Sequence, residues 1–316
     1  MKKIFIDNFD PIKSNELFGH SILFKNLATF CENRKVPKVI MLSGEKGLGK
    51  FTLALHFINY FFTLKDTQFR YDLKKQYIDK NNPFYKKILN NINENFIYLA
   101  NNDVRSISID DIRSLKKKFS SSSLNSLPRF TILDDAEKLN KSSANSLLKL
   151  IEEPTQLNYF VLINNQRGKI IETLKSRSIE FKIFLKASEK INIFKKLLVK
   201  HDLENSVNPE IISKTSPGLL IRIIENMKQN SIEIENSFFE NTETLLDKYK
   251  KDKNHILIDT VKFLFEINIY SKLTDRSINF IKINFLKNKI NKLLYNFENF
   301  NLSKNLVLEN LKNLDV

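Results

Sequence analysis

The chain has only six glycines, and three of them stand at positions 44, 47 and 49. The string Gly44-Glu45-Lys46-Gly47-Leu48-Gly49-Lys50 fits the pattern G-x-x-x-x-G-K. It follows an apolar run, residues 39–43, and precedes an apolar-rich stretch, residues 51–58. A strand, a glycine turn and a helix in that order are the setting in which the pattern binds phosphate. The glycines let backbone N–H groups wrap an anion, the helix N-terminus adds its dipole, and Lys50 reaches the terminal phosphates. A plain glycine-rich turn between strand and helix is the competing reading.

The residue after the lysine departs from the pattern. A Ser or Thr hydroxyl there ligates Mg²⁺, and this chain has Phe51. Thr52 lies about 100° further round a helix, so it does not substitute. A second element is the run Phe130-Thr131-Ile132-Leu133 ending on Asp134-Asp135. An aspartate closing a buried strand beside a phosphate loop is the usual Mg²⁺ partner, and Asp134 stands there. Acidic residues in an ordinary strand-end turn are the alternative.

The elements that must position these residues alternate. Apolar runs predict strands at 39–43, 96–99, 130–133, 159–163 and 179–183. Between them, helices are expected over 51–58, 109–119 and 141–153. Ile112, Leu115 and Phe119 share one helical face, and Ala144, Leu147, Leu148 and Ile151 another. Pro154 ends the second of these helices, and residues 120–123 read as a polar loop. Residues 63–95, Lys- and Asn-rich, read as helices and loops. Alternating strands and helices imply a parallel α/β sheet. After residue 184 the strand signals stop. Helices are expected over 188–201 and 209–227. Then come helical stripes at Leu257, Val261, Leu264 and Phe265, and at Ile283, Leu286, Ile290, Leu293 and Phe297. The expected division is an α/β domain, residues 1–184, a small helical domain, 185–230, and a C-terminal helical domain, 231–316.

Composition bounds the function. The 316 residues carry 51 basic and 36 acidic side chains, a formal charge of +15. Only nine of the basic residues are Arg, so a lysine-rich composition competes with a polyanion partner as the source of that charge. A single cysteine, Cys31, excludes an intramolecular disulfide and a zinc site built on several thiolates. Four scattered histidines make no metal constellation. No apolar run reaches the ~18 residues of a membrane span, and no signal core opens the chain. A cytoplasmic protein without membrane contact is expected.

Several stretches taken together resemble the bacterial DNA polymerase III clamp-loader subunits of the AAA+ superfamily. They are Phe18-Gly19-His20, the glycine loop, Asp134-Asp135-Ala136-Glu137-Lys138-Leu139-Asn140, the run from Ala144 to Pro154, and Ser176-Arg177-Ser178. The resemblance covers roughly residues 15–222. It implies an AAA+ P-loop domain with a five-stranded parallel sheet, a small helical lid and a C-terminal helical collar that assembles an oligomer. Within that family the chain looks like the delta-prime kind, a stator that generally does not hydrolyse ATP, more than the gamma/tau motor. Phe51 replaces the metal hydroxyl, and Asp135 stands where motors commonly have Glu. Gly218, in Thr215-Ser216-Pro217-Gly218, falls where motors carry a sensor arginine; Arg222 is one turn further on.

The resemblance assigns Arg177 as a finger offered to ATP on a neighbouring subunit, with Ser178 in the place of a usual Cys. Gly44, Gly47, Gly49, Lys50, Asp134 and Asp135 are the degenerate nucleotide-site residues. ATP binding is left open, and Mg²⁺-dependent hydrolysis by this chain is not expected. Many family members carry a four-cysteine zinc module; the corresponding residues 64–95 hold no Cys, so no zinc is expected. The implied partners are the gamma/tau and delta subunits, with the sliding clamp and primer-template DNA reached through the assembly, as part of the polymerase holoenzyme in DNA replication. An active gamma/tau-like ATPase is the alternative, and a DNA-binding protein acting alone a third reading.

Overall fold

The computed structural model describes residues 10–100, 107–120, 127–152, 157–203, 209–274 and 280–313. The chain falls into two compact units, Met1–Gly218 and Leu219–Val316. The expected helical domain at 185–230 straddles that boundary.

In the first unit the five expected strands form one sheet. They are β1 (Val39–Ser43), β2 (Phe96–Ala100), β3 (Arg129–Asp134), β4 (Asn158–Asn164) and β5 (Ile179–Lys182). All neighbours run parallel, in the order β2-β3-β4-β1-β5. Strands covered on both faces read as continuous apolar runs, and successive side chains go to opposite faces. Ile40, Leu42, Phe130, Ile132, Val161 and Ile163 build one core. Val39, Met41, Leu133, Phe160 and Leu162 build the other. The first face is covered by α1 (Ser21–Glu32), α2 (Lys50–Thr63) and α3 (Pro83–Leu89), through Phe24, Leu53, Phe57 and Tyr85 among others. The second is covered by α4 (Ile109–Ser120) and α5 (Lys141–Glu152), through Ile112, Leu115, Ala144, Leu147 and Leu150.

The buried stripe of α5 is rotated from the expected one. Ser143 and Leu150 are buried with Ala144 and Leu147, while Leu148 and Ile151 lie on the flank. Ser143 donates its hydroxyl to Ile107 O at 3.0 Å, which turns that edge inward. The expected stop at Pro154 and most of the polar loop at 120–123 lie outside the described residues.

The unit continues through α6 (Glu172–Lys175), α7 (Ala187–His201) and α8 (Pro209–Lys214). The single helix expected over 209–227 is two, because Pro217 opens α9 (Pro217–Gln229). Proline cannot continue a helix and turns its predecessor out of helical conformation.

The second unit holds α10 (Phe238–Asp252), α11 (His255–Thr274), α12 (Phe280–Asn299) and α13 (Lys304–Lys312) besides most of α9. Leu257, Val261, Leu264 and Phe265 are all buried, as their spacing requires. On α12 the stripe runs Ile290, Leu294, Phe297. Leu294 replaces the expected Leu293, since four-then-three spacing keeps the same face as three-then-four. Side-chain contacts tie these helices together: Lys304 pairs with Glu243 and Asp247 and Lys287 with Glu266, and His255 Nδ1 hydrogen-bonds to Glu298. Among the described residues no helix is long and apolar enough to cross a membrane.

The stretch between α2 and α3 is organised by turns. Asp66, Asp72 and Asp79 each accept from N–H groups two or three residues on, and Asn82 caps α3. Its anchor is the fully buried His56. Ser14 O can only accept, so Nε2 carries the proton and donates to it at 3.0 Å. Nδ1 therefore accepts from the Tyr71 hydroxyl at 2.8 Å. Burial pushes the His56 imidazole down to about 3. Below the unfolded value of about 6.5 the unfolded chain takes up a proton that the folded chain refuses, so stability falls as pH falls from there toward 3. Between pH 7 and 5 this one group costs about 2 kcal/mol. Urea unfolding at the two pH values checks it: the wild type loses that amount relative to His56→Gln, whose amide does not titrate.

Candidate phosphate-binding site

The glycine loop joins β1 to α2 with Gly47 and Gly49 at φ +88° and +81°, where an L side chain is strained. Gly44 is required for another reason: a Cβ there would stand 2.4 Å from Ile183 O, just beyond β5. Each loop carbonyl is taken up by a donor of the chain. Lys50 Nζ donates to Gly44 O at 2.6 Å and to Glu45 O. Ser216 Oγ donates to Lys46 O, and Gly218 N to Gly47 O at 2.9 Å. His20 donates from Nε2 to Leu48 O at 2.7 Å, and Leu53 N to Gly49 O at 2.9 Å. The loop carbonyls are thus all turned to protein donors, while Gly44 N is bonded to Asn164 O.

Burial perturbs the groups around this loop. It draws the Lys50 ammonium down to about 8, against the opposing pull of Asp134, Glu137, Asp135 and Glu45. It also lowers the His20 imidazole. Lys190 of α7 pairs with Glu45 at 3.8 Å, and the α7 residue Ile193 fills the space beside Gly19.

The strand order places β4 between β1 and β3, so Asn164 and Asn165 emerge between the loop and the aspartates. Asn164 O accepts from Gly44 N at 3.1 Å. The Asn165 amide donates to Oδ1 of Asp134 at 3.0 Å and to Oδ1 of Asp135 at 2.5 Å. Asp134 Oδ1 also accepts from Asp135 N at 2.8 Å, and its Oδ2 faces the Tyr98 hydroxyl at 3.4 Å. Lys138 pairs with Asp135 Oδ2 at 2.9 Å. Asp135 itself is left-handed, φ +52°, which folds its carboxylate back into this group. Burial, then the neighbouring Asp135 charge, raises the Asp134 carboxyl. Burial would raise Asp135 too, but Lys46, Lys138 and Asn165 outweigh it and hold it below the usual range. Glu137 accepts from Asn165 N and Arg167 N and closes the cluster.

The Mg²⁺ ion implied by such a loop does not fit these residues. All four oxygens of Asp134 and Asp135 already face donors of the chain. Charge-assisted hydrogen bonds of this kind are worth about 1.5–3 kcal/mol each, and a cation would have to displace several. Where a hydroxyl ligand belongs, the Phe51 ring is buried and packs edge-on against Tyr98, centroids 4.8 Å apart.

Six of the residues singled out in the sequence therefore meet at one place: Gly44, Gly47, Gly49, Lys50, Asp134 and Asp135. Arg177 does not join them. It lies in the turn between α6 and β5. Ile179 is in register with Ile40 and Lys182 with Ser43. The strand thus puts about 13 Å between the level of Ile179 and the loop, with Arg177 beyond it at the amino end of the strands. Its guanidinium pairs with Glu152 at 2.5 Å and donates to Thr173 O at 3.2 Å. Asn165, Tyr98 and Ser216 are site residues the sequence reading passed over. For Asn165 a signal existed, an Asn pair at the carboxyl end of a parallel strand, where α/β sheets bind ligands. Tyr98 and Ser216 carry no such local sign.

Gly218 gives a direct test. Gly→Ala inside a helix normally stabilises by about 0.5–1 kcal/mol. Here the new Cβ would meet Gly47 O at 2.8 Å. Gly218→Ala is expected to lower the melting temperature, with a loss of about 1–3 kcal/mol from overpacking against backbone. Gly168→Ala, whose Cβ finds Glu137 at an ordinary 3.7 Å, serves as the near-neutral control.

Residues 19–186, more than half of the chain, match the family described as DNA polymerase III, delta subunit. DNA polymerase III subunit delta' of Buchnera aphidicola subsp. Schizaphis graminum is 27% identical over 208 residues, covering 64% of this chain and 60% of the relative. The replication factor C small subunit of Methanococcus vannielii is 26% identical over 237 residues, covering 74% and 64%. The chain spans less than two thirds of the length of these curated relatives. Among solved structures, a DNA polymerase III gamma subunit-related protein of Thermotoga maritima aligns at 17% identity and TM-score 0.44, covering 91% of this chain and 96% of the other. With a parallel five-stranded sheet, a glycine loop after β1 and paired aspartates after β3, the chain belongs to the delta-prime family of DNA polymerase III clamp-loader subunits, within the AAA+ superfamily.

Proposed function

We propose that this chain is a stator subunit of a DNA polymerase III clamp loader, which helps place a sliding clamp on primed DNA. It assembles with gamma/tau motor subunits and a delta subunit through its C-terminal helices. It does not hydrolyse ATP itself and lends Arg177 to the nucleotide of a neighbouring motor. The observation that carries this reading is the position of Arg177. It stands at the amino end of β5, at the opposite end of the strands from the chain's own phosphate loop, where its guanidinium is held by the half-exposed Glu152 and Thr173 O.

The energetics support such a transfer. The Arg177 and Glu152 side chains are 41% and 50% exposed, and an ion pair this open to water contributes about 0–1 kcal/mol. A forked guanidinium on a phosphoryl group in a water-excluded interface gains more than that. Glu152 thus parks the arginine without trapping it. The motor alternative needs an Mg²⁺ site that Phe51 and the engaged aspartates do not offer.

Reconstitution with the cognate motor and delta subunits tests the reading. Arg177→Ala is expected to leave assembly intact on size exclusion. At the neighbouring site it should cut hydrolysis by roughly 10³-fold or more, so the clamp- and DNA-stimulated rate falls by that site's share. Arg177→Lys should not rescue it, because Lys lacks the fork. An unchanged rate in an intact assembly would make Arg177 a structural residue and remove the mechanism.

A further inference from the structure

Two pockets of the second unit lie at the turn between α12 and α13. One is lined by Lys289, Lys292, Leu293 and Asn296 of α12 and by Asn310 of α13. The other is lined by Tyr249, Lys250 and Lys253 around the end of α10, by Phe297, and by residues 301–303 of the turn. Each pocket carries a pair of lysines. Two aromatic rings stand at the same turn. Phe300 is 70% exposed and Tyr295 55%, and their centroids are 6.0 Å apart, edge to face. Rings this open to water offer a large apolar face to a partner.

Lysine-rich composition does not account for the charge here. Residues 219–316 hold 15 basic and 13 acidic side chains, so the unit as a whole is close to neutral. None of the four pocket lysines has an ion-pair partner among the described residues. Glu298 of α12 and Asp247 of α10 are held by His255 and Lys304. Only the exposed Asp252 and Glu309 are left nearby in the chain to set against the four lysines.

We infer that this turn holds a single strand of nucleic acid. Lys250, Lys253, Lys289 and Lys292 take phosphates, and unstacked bases lie on Phe300 and Tyr295. Cationic side chains beside exposed rings are the composition of a single-strand surface, which is indifferent to sequence because every base has a π-face. A duplex keeps its base faces stacked and would use the lysines alone. An acidic protein fits less well, because protein–protein interfaces are depleted in lysine. The contact is made by the chain itself, without a motor subunit, so it stands or falls separately from the role of Arg177.

The test is fluorescence anisotropy of the full chain with a labelled oligothymidine of about 15 nucleotides. Phe300→Ala removes a ring that is mostly in water, so the fold is kept, which circular dichroism checks. The variant is expected to weaken binding about fivefold or more at every salt concentration, and to bind a duplex of the same length as the wild type does. Exchanging the four lysines for glutamine is expected to flatten the slope of log K against log salt by about 3, at about 0.7 for each phosphate contact with a single strand. No binding of the oligothymidine would overturn the inference, and so would folded variants that bind it like the wild type. A polyglutamate that displaces the oligothymidine charge for charge, with Phe300→Ala without effect, would assign the turn to an acidic protein instead.

Discussion

The inward pinning of the glycine-loop carbonyls is the interaction on which the rest of the site depends. Backbone carbonyls buried without donors are costly, and a loop of this shape turns six of them away from its concave side. Besides Lys50 at the loop's own end, the donors come from distant parts of the chain: His20 before α1, and Ser216 and Gly218 around the start of α9. The loop is thus the point where the N-terminal segment, the sheet and the end of the first unit are joined. This explains why the small residues stand where they do. Gly44 faces Ile183 O and Gly218 faces Gly47 O, both too close for a Cβ.

The acidic pair shows how similar residue types serve opposite ends. An aspartate at a strand end beside a phosphate loop is suited to a metal ion, yet Asp134 and Asp135 are consumed by internal donors. Two carboxylates this close repel, which helps raise Asp134, while the cations Lys46 and Lys138 hold Asp135 ionised. The group is self-neutralising, and that agrees with a benzyl ring in the neighbouring ligand position. Arg177 is the contrast: its ion-pair partner among the described residues, Glu152, is half in water, so it is held loosely at a surface where another molecule can compete.

Much of the framework was legible in residue order. Parallel strands shielded on both faces must be apolar throughout, so VIMLS and FTIL announced β1 and β3 without any long-range information. Amphipathic spacing gave α11 and α12 of the second unit. It erred on single positions, at Leu293 and in the α5 stripe, because a helix face is set by what it packs on, as the Ser143–Ile107 bond demonstrates. The break at Pro217 was also readable in principle, since no helix passes through that residue unharmed.

The sequence by itself determined the motif residues, the absence of a metal hydroxyl at Phe51 and the alternation that makes a parallel sheet. These are local properties, carried by side-chain type and short spacing. Only the tertiary structure decided that β4 lies between β1 and β3, which brings Asn165 onto both aspartates. Only it decided that Tyr98 seals Phe51, that Gly218 abuts Gly47, and that Arg177 stands at the end of the strands away from the loop. Those are contacts between residues tens to hundreds of positions apart, set by strand order and register, and no local pattern encodes them.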